Sequence, residues 1–114
     1  MAVDDYRFGR IAVNGRVYTK DVLILPAGVQ SPWWRGEGHR LAPADLEAVL
    51  ADPPDTLVIG TGYYGNMAVP EETVAVLERE GVAVWVGRTT EAVAELNRLQ
   101  QEAARVAGAL HLTC

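Results

Sequence analysis

The sequence predicts a single α/β domain over residues 1–114, with a mostly parallel central sheet and an N-terminal β-hairpin. From residue 43 onward, helical segments alternate with short apolar segments, which is typical of β-α-β units. Near the N-terminus, an Asn-Gly pair separates two apolar stretches, which predicts a hairpin. A length of 114 residues with 49% hydrophobic and 22% charged residues suits one globular core.

The hairpin is predicted for the stretch "FGRIAVNGRVYTKDVLIL", residues 8–25. Asn14 and Gly15 would form a two-residue type I′ turn, because both tolerate the left-handed backbone that this turn needs. That turn fixes the cross-strand register as Val13 with Arg16, Ala12 with Val17, and Ile11 with Tyr18. The final "VLIL" is apolar on both faces and is expected to enter the interior.

Helices and buried strands are predicted to alternate in the rest of the chain. The predicted helices are 43–52, 70–81 and 89–108, and the predicted strands are 56–60, 82–87 and 109–114. Pro43 and Pro70 stand at the first helical positions, and Gly81 ends the second helix. The first helix should bury Leu46, Val49 and Leu50. The longest helix depends on an apolar stripe made of Ala92, Leu96, Leu99, Ala103 and Val106. Residues 26–42 have no period and are predicted to be a loop.

Charge and composition exclude several functional classes. There are 15 acidic and 10 basic residues, and the net charge of −5 argues against a nucleic-acid partner. No apolar run has the length of a membrane span, and the opening residues lack the apolar core of a signal peptide. These features predict a cytoplasmic location. The single cysteine, Cys114, excludes an internal disulfide, and its offset of three from His111 on a strand disfavours a shared metal site.

The stretch "IGTGYYGN" contains the order G-x-G-x-x-G, formed by Gly60, Gly62 and Gly65. In a dinucleotide-binding loop the helix starts at the glycines, so that its amides point at the pyrophosphate. Here the next helix is predicted to start at Pro70, and Arg88 stands where an acid would hold the ribose. We therefore expect no dinucleotide and no other cofactor. The favoured interpretation is that Gly60 and Gly62 allow a sharp turn and a close approach of backbone.

Three loops are expected to converge at the carboxyl ends of the strands, namely 26–42, 60–69 and 88–90. They would form a candidate anion pocket from backbone amides and basic side chains. Its members are Arg35, His39, Gly60, Thr61, Gly62, Arg88 and Thr89. The candidate residues for contact with a partner are Trp33, Trp34, Tyr63 and Tyr64.

A structural interpretation of the same residues is favoured over ligand binding. Trp33 and Trp34 would then plug the edge of the sheet, and Arg35 would pair with Glu37 or Asp45. His39 would hydrogen-bond the end of a helix. Asp21, between Lys20 and an apolar run, is interpreted as the acid of an ion pair with an Arg, or as a buried hydrogen-bonded acid.

Several motifs, taken together in their order and spacing, resemble the MTH-nine-three-eight-like domain family. They are "YRFGRIAVNGRVYTKDVLILP", "WWRGEGHRLAPADLEAVL", "LVIGTGYYGNM", the opening of the long helix and the terminal "ALHLTC". The resemblance covers nearly the whole chain. It implies a three-layer α/β domain without established catalytic residues. Members occur alone in bacteria and archaea. Relatives in eukaryotes are an adipogenesis-associated protein and a mitochondrial complex I assembly factor, which suggests an assembly role.

Two functional hypotheses follow, and they belong to different classes. The first is a protein-interaction or assembly module, favoured by the resemblance and by the absence of a catalytic motif from the sequence. Its partner would be another protein, and a homo-oligomer is also compatible with it. The alternative is a protein that binds a small anion, or an enzyme that uses one, through the pocket at the strand ends.

Overall fold

The computed structural model describes residues 2–102 and 105–114, which fold around a mixed five-stranded sheet. The sheet has the order β5-β4-β8-β6-β7, with β4 (Val22–Leu25), β5 (Gly28–Gln30), β6 (Thr56–Gly60), β7 (Ala83–Gly87) and β8 (Val106–Leu110). β6 is parallel to β7 and β8, whereas β4 is antiparallel to β8 and β5. The prediction of a mostly parallel sheet is therefore wrong. Only two residues connect β4 to β5, and so short a connection can join only antiparallel strands.

A separate three-stranded sheet contains β1 (Val3–Arg7), β2 (Arg10–Val13) and β3 (Arg16–Tyr18). The β2–β3 register is the one that the sequence predicted, and it pairs Ile11 with Tyr18, Ala12 with Val17 and Val13 with Arg16. Asn14 and Gly15 have φ angles of 50° and 79°, as a type I′ turn requires. The N-terminal hairpin is thus confirmed, and β1 adds a third strand to it.

The helices lie where the sequence places them, except at one end. A 3₁₀ turn at Pro43–Leu46 leads into α1 (Glu47–Ala51), and α2 spans Glu71–Arg79. The third helix, α3, spans Thr89–Gln101 and is shorter than predicted. Val106 begins β8 instead of continuing the apolar stripe of α3, and Ala103 lies outside the described residues.

Gly108 lies at the point where the backbone of β8 passes close to α3. A Cβ atom at Gly108 would lie 3.0 Å from Leu96 Cδ2. The predicted strand 109–114 overlaps β8 only at Ala109 and Leu110, and residues 111–114 continue without regular structure.

The five-stranded sheet separates two apolar cores, which gives three layers. The first core lies on the face covered by α1 and α2, and it includes Leu57 and Ile59 of β6. The second lies on the face covered by α3 and the three-stranded sheet, and it includes Val58. β6 is therefore buried on both faces, as predicted. β7 was also predicted to be buried, but it lies at the sheet edge and exposes Ala83 and Val86.

No helix among residues 2–102 and 105–114 combines the length and the apolarity needed to cross a bilayer.

Candidate functional site

The loops that follow β5, β6 and β7 meet at one rim of the five-stranded sheet. The amide of Ala68 donates to His39 O at 2.7 Å, which joins the first loop to the second. The amide of Thr89 donates to Gly62 O at 3.1 Å, which joins the third loop to the second. β5 brings its loop to this rim because it runs antiparallel to β4, as β8 does.

The glycine turn after β6 is packed against the last residues of the chain. Gly62 has a φ of 108°, and a Cβ atom there would lie 2.5 Å from the carbonyl carbon of Cys114. Its amide donates to Thr89 Oγ1 at 2.9 Å, and the next amide, that of Tyr63, donates to Thr113 O at 2.6 Å. At Gly60, a Cβ atom would lie 2.7 Å from Thr89 Oγ1. Gly60 and Gly62 therefore allow the backbone to pack closely. The amides of Thr61, Gly62 and Tyr63 already donate to other groups of the protein.

The start of α2 agrees with this role of the glycines. The helix begins at Glu71, well after Gly65, so its N-terminal amides are not at the glycine turn. The Thr61 amide and Thr61 Oγ1 both donate to Gly87 O, at 2.9 and 3.0 Å. The turn consequently lacks the arrangement of amides that binds a pyrophosphate.

A buried polar cluster of Asp21, Arg35 and His111 lies at the same rim. Asp21 Oδ2 is 2.8 Å from Arg35 Nη2 and 2.8 Å from His111 Nδ1. Asp21 Oδ1 accepts the amide of Leu112 at 2.8 Å. The side chains of Arg35 and His111 are only 4% and 7% exposed, and the Arg35 guanidinium stacks on Trp33 at 4.8 Å. Asp21 thus ties the loop after β5 to the segment after β8.

Hydrogen bonding determines the charge of Asp21. Burial on its own would raise the pKa of this carboxyl, but the hydrogen bonds from His111, Leu112 and Arg35 outweigh it, and the pKa lies below its ordinary value. Because Asp21 is an anion and can only accept, we assign a ring proton of His111 to Nδ1, the nitrogen that faces Asp21.

Two polar atoms of this cluster have no partner in the described part of the chain. They are Arg35 Nη1 and His111 Nε2, and both are buried. An unpartnered buried polar atom costs about 1–3 kcal/mol, so such atoms call for a functional or structural explanation. The exposed His39 ring stacks edge-on against His111, with a centroid distance of 5.6 Å. His39 therefore lies between His111 and solvent on that side.

Tyr6 borders the cluster and carries no charge. Its hydroxyl donates to Leu112 O at 2.9 Å. Burial raises the pKa of Tyr6 to about 12, so the hydroxyl keeps its proton throughout the neutral range.

An exposed aromatic cluster, formed by Phe8, Tyr63 and Tyr64, lies on the surface of the glycine turn. Phe8 comes from the β1–β2 turn, and its ring centroid is 6.0 Å from those of Tyr63 and Tyr64. The two tyrosine rings are 5.1 Å apart and nearly perpendicular. The exposed fractions of the three residues are 50%, 43% and 58%.

The tryptophans and Arg35 depart from parts of the sequence-based expectations. Trp33 is 2% exposed and its indole nitrogen donates to Asp45 O, so it belongs to the core and not to a surface. Trp34 is 73% exposed. Arg35 pairs with Asp21, the ion pair predicted for that acid, and not with Glu37 or Asp45.

The remaining candidates divide between the two clusters. Thr89 is buried below the rim, where its hydroxyl donates to His111 O at 2.6 Å. Arg88 lies beside the aromatic cluster, because a Cβ atom at Gly65 would lie 3.3 Å from Arg88 Cγ. The sequence interpretation missed Phe8 and the pairing of His111 with Asp21. Phe8 did carry a signal, since it is the only phenylalanine and stands in a hairpin turn.

A cavity of about 290 Å³ opens at the loop that carries Arg35. It is lined by Gly36, Glu37, Arg40, Ala42 and Asp45. Arg40 reaches away to Glu72, at 3.4 Å. Two carboxylates line this cavity, which makes it a poor place for an anion.

Comparisons with known proteins identify relatives of similar size and fold. A family model described as "Protein of unknown function (DUF498/DUF598)" matches residues 3–111. The conserved hypothetical protein PH1505 from Pyrococcus horikoshii OT3 is 30% identical, with a TM-score of 0.85 and all of both chains covered. MT938 is 26% identical, with a TM-score of 0.83 and coverage of 99% of this chain and 98% of that chain. A Mth938-like domain from Bordetella pertussis is 27% identical, with a TM-score of 0.70 and coverage of 97% of this chain and 85% of that chain.

Proposed function

We propose that this chain is a protein-interaction module. The chain belongs to the DUF498/DUF598 family of proteins of unknown function, as its resemblance to Mth938-like domains predicted. Its role is therefore inferred from its surface. The observation that carries this proposal is the exposed aromatic cluster of Phe8, Tyr63 and Tyr64. Aromatic residues are enriched in protein interfaces, where they supply large contact areas at little conformational cost.

The fixed backbone below the cluster supports this role. The amides of Tyr63 and Asn66 donate to Thr113 O and Cys114 O, at 2.6 and 2.9 Å. On the other side, the amide of Gly9 donates to Leu112 O at 2.9 Å. One segment, residues 112–114, therefore holds both loops that carry the aromatic rings. A surface that is ordered before binding loses less entropy when a partner docks.

Charge beside the cluster indicates the chemistry of the partner. Arg88 lies against Gly65 and is exposed, on a protein whose net charge is −5. Arg7, which precedes Phe8, pairs with Asp5 at 3.2 Å, so we assign Arg88 as the cation next to the rings. The surface therefore suits a protein segment with an apolar anchor for the rings and a carboxylate for an arginine.

Site-specific crosslinking would test the proposal. A photoreactive phenylalanine analogue replaces Tyr64 in one variant and Val17 in another, because Val17 is 48% exposed on β3. In source cells, position 64 should give a discrete crosslinked protein that position 17 does not give. With that protein purified, Tyr63→Ala and Tyr64→Ala should each weaken binding about tenfold or more, as expected of central aromatic contacts.

Val17→Ala is the matched control, and it should bind the partner as the wild type does. Unchanged melting temperatures would show that the tyrosine variants remain folded. Equal crosslinking from positions 64 and 17, or full affinity in both tyrosine variants, would exclude the aromatic cluster as the docking surface.

The second candidate function is binding of a small oxyanion, such as a phosphate or a carboxylate, by the polar cluster. The supporting observation is the pair of unpartnered atoms, Arg35 Nη1 and His111 Nε2. Asp21 already neutralises Arg35, so the oxyanion would be held by a hydrogen bond from Arg35 Nη1, with the His111 ring alongside.

Nuclear magnetic resonance of the His111 ring would test this candidate directly. Inorganic phosphate should shift the Nε2 resonance saturably, whereas chloride at equal ionic strength should not. Arg88→Ala is the control variant and should retain the effect, because Arg88 lies beside Gly65. A His111 resonance that does not respond to phosphate would exclude the anion site without affecting the interaction proposal.

A further inference from the structure

The outer edge of β7 lacks the features that normally prevent strand association. β7 pairs only with β6 in the described part of the chain, so it forms one edge of the five-stranded sheet. Its sequence, "AVWVG", has no charge and no proline, and Val86 is 44% exposed. Edge strands are usually short, charged or interrupted by proline. β5, at the opposite edge, has only three residues, and so has β3, which also carries Arg16.

The direction of the backbone groups on β7 follows from two hydrogen bonds. The amide of Ala83 donates to Asp55 O, and Gly87 O accepts the amide of Thr61, so both residues point toward β6. The backbone N–H and C=O of one residue point to the same side of a strand, and that side alternates from one residue to the next. The backbone groups of Val84 and Val86 therefore point away from β6, toward the free edge. The edge thus offers two donors and two acceptors, spaced one residue apart.

We propose that β7 pairs with β7 of a second copy of this chain, antiparallel about a two-fold axis at Trp85. In this register Val84 of each copy lies opposite Val86 of the other, and each pair exchanges two hydrogen bonds. Four hydrogen bonds form in total, and the two sheets become one ten-stranded sheet. The two donors and two acceptors of Val84 and Val86 match those of a second copy in this register, so the edge of β7 is complementary to itself.

Charges at the two ends of β7 favour the antiparallel orientation. Glu80 precedes the strand and Arg88 follows it, and both are exposed. Antiparallel pairing brings Arg88 of one copy toward Glu80 of the other, whereas parallel pairing would bring like charges together. The contact is small, at the low end of specific interfaces, so we expect a weak dimer that depends on concentration.

Sedimentation equilibrium of the whole chain tests this proposal. The wild type should approach twice the monomer mass as its concentration rises from about 1 to about 500 μM, the range of a weak interface. Val86→Lys should weaken dimerisation about tenfold or more, because it adds the lysine that edge strands normally carry. Val17→Lys introduces the same change on β3 and should sediment as the wild type.

Amide hydrogen exchange distinguishes β7 from other surfaces. The Val84 amide should exchange more slowly as the wild-type concentration rises, and Val86→Lys should remove this dependence. Melting curves should show that both lysine variants are folded. The proposal would be overturned if the wild type stayed monomeric or if Val86→Lys dimerised normally. Loss of the dimer in Val17→Lys would overturn it as well.

Discussion

At the scale of single residues, Asp21 determines how the rim is held together. One carboxylate binds Arg35, His111 and the amide of Leu112, which belong to segments far apart in the chain. Removal of one partner from a buried ion pair costs about 3–5 kcal/mol, because the remaining charge is left uncompensated. We expect Asp21→Asn to lower the free energy of unfolding toward the smaller end of that range, since asparagine keeps part of the hydrogen bonding and Asp21 is 16% exposed.

This loss should depend on pH in a defined direction. The pKa of Asp21 in the folded protein lies below its ordinary value of 3.8, so the unfolded chain binds the proton more tightly. The stabilisation is therefore complete well above that value and is lost as the pH falls through the folded-state pKa. Urea unfolding between about pH 7 and pH 2.5 should show a wild-type advantage over Asp21→Asn that shrinks toward acid.

An exposed ion pair provides the control for this prediction. Asp52 pairs with Arg105 at 2.9 Å, but its side chain is 76% exposed. Asp52→Asn should change the stability by less than about 1 kcal/mol at every pH. An Asp21→Asn variant with a constant deficit across the acid range would contradict the linkage to this carboxyl.

At the scale of secondary-structure elements, local signals allowed accurate prediction. The turn at Asn14 and Gly15 specifies the β2–β3 register by itself, because only a few residue pairs adopt a type I′ turn. Pro70 and Gly81 likewise define the ends of α2 within one or two residues. Elements whose boundaries depend on turn chemistry could therefore be predicted from sequence.

Elements that depend on distant partners could not be predicted in this way. β5 is three residues long, which is too short to show a period, and it is defined by its pairing with β4. Val106 continues the helical spacing of α3, yet β8 pairs on both sides, with β4 and with β6. Tertiary pairing therefore overrode helical periodicity at that position.

The candidate site likewise contains residues that could be predicted from local sequence and residues that could not. Arg35 and His39 were expected to meet at one rim, because loops after parallel strands converge there, and their role in binding stays a prediction. Asp21 and His111 are 90 positions apart, and nothing near either residue indicates that their side chains are 2.8 Å apart. The antiparallel pairing of β4 with β8 brings them together, and the sequence interpretation did not include that pairing.

At the scale of the whole molecule, the two apolar cores share the five-stranded sheet. Leu41 belongs to the core below α1 and α2, and Leu96 belongs to the core below α3, and both are fully buried. Adjacent residues of β6 face opposite cores, with Ile59 in the first and Val58 in the second. Neither core can be lost without exposing one face of β6, so the two should unfold as one unit.

Cavity-forming substitutions test this cooperativity. Leu41→Ala and Leu96→Ala should each lower the free energy of unfolding by about 2–5 kcal/mol, and each should shift one shared transition. Methyl signals of Ile59 and Val58, followed by NMR during heating, should lose intensity at the same temperature in the wild type and in both variants. The exposed Val17→Ala should change stability by less than about 0.5 kcal/mol. If Leu41→Ala lowered the midpoint of Ile59 alone, the cores would be separate folding units, and the sheet would not couple them.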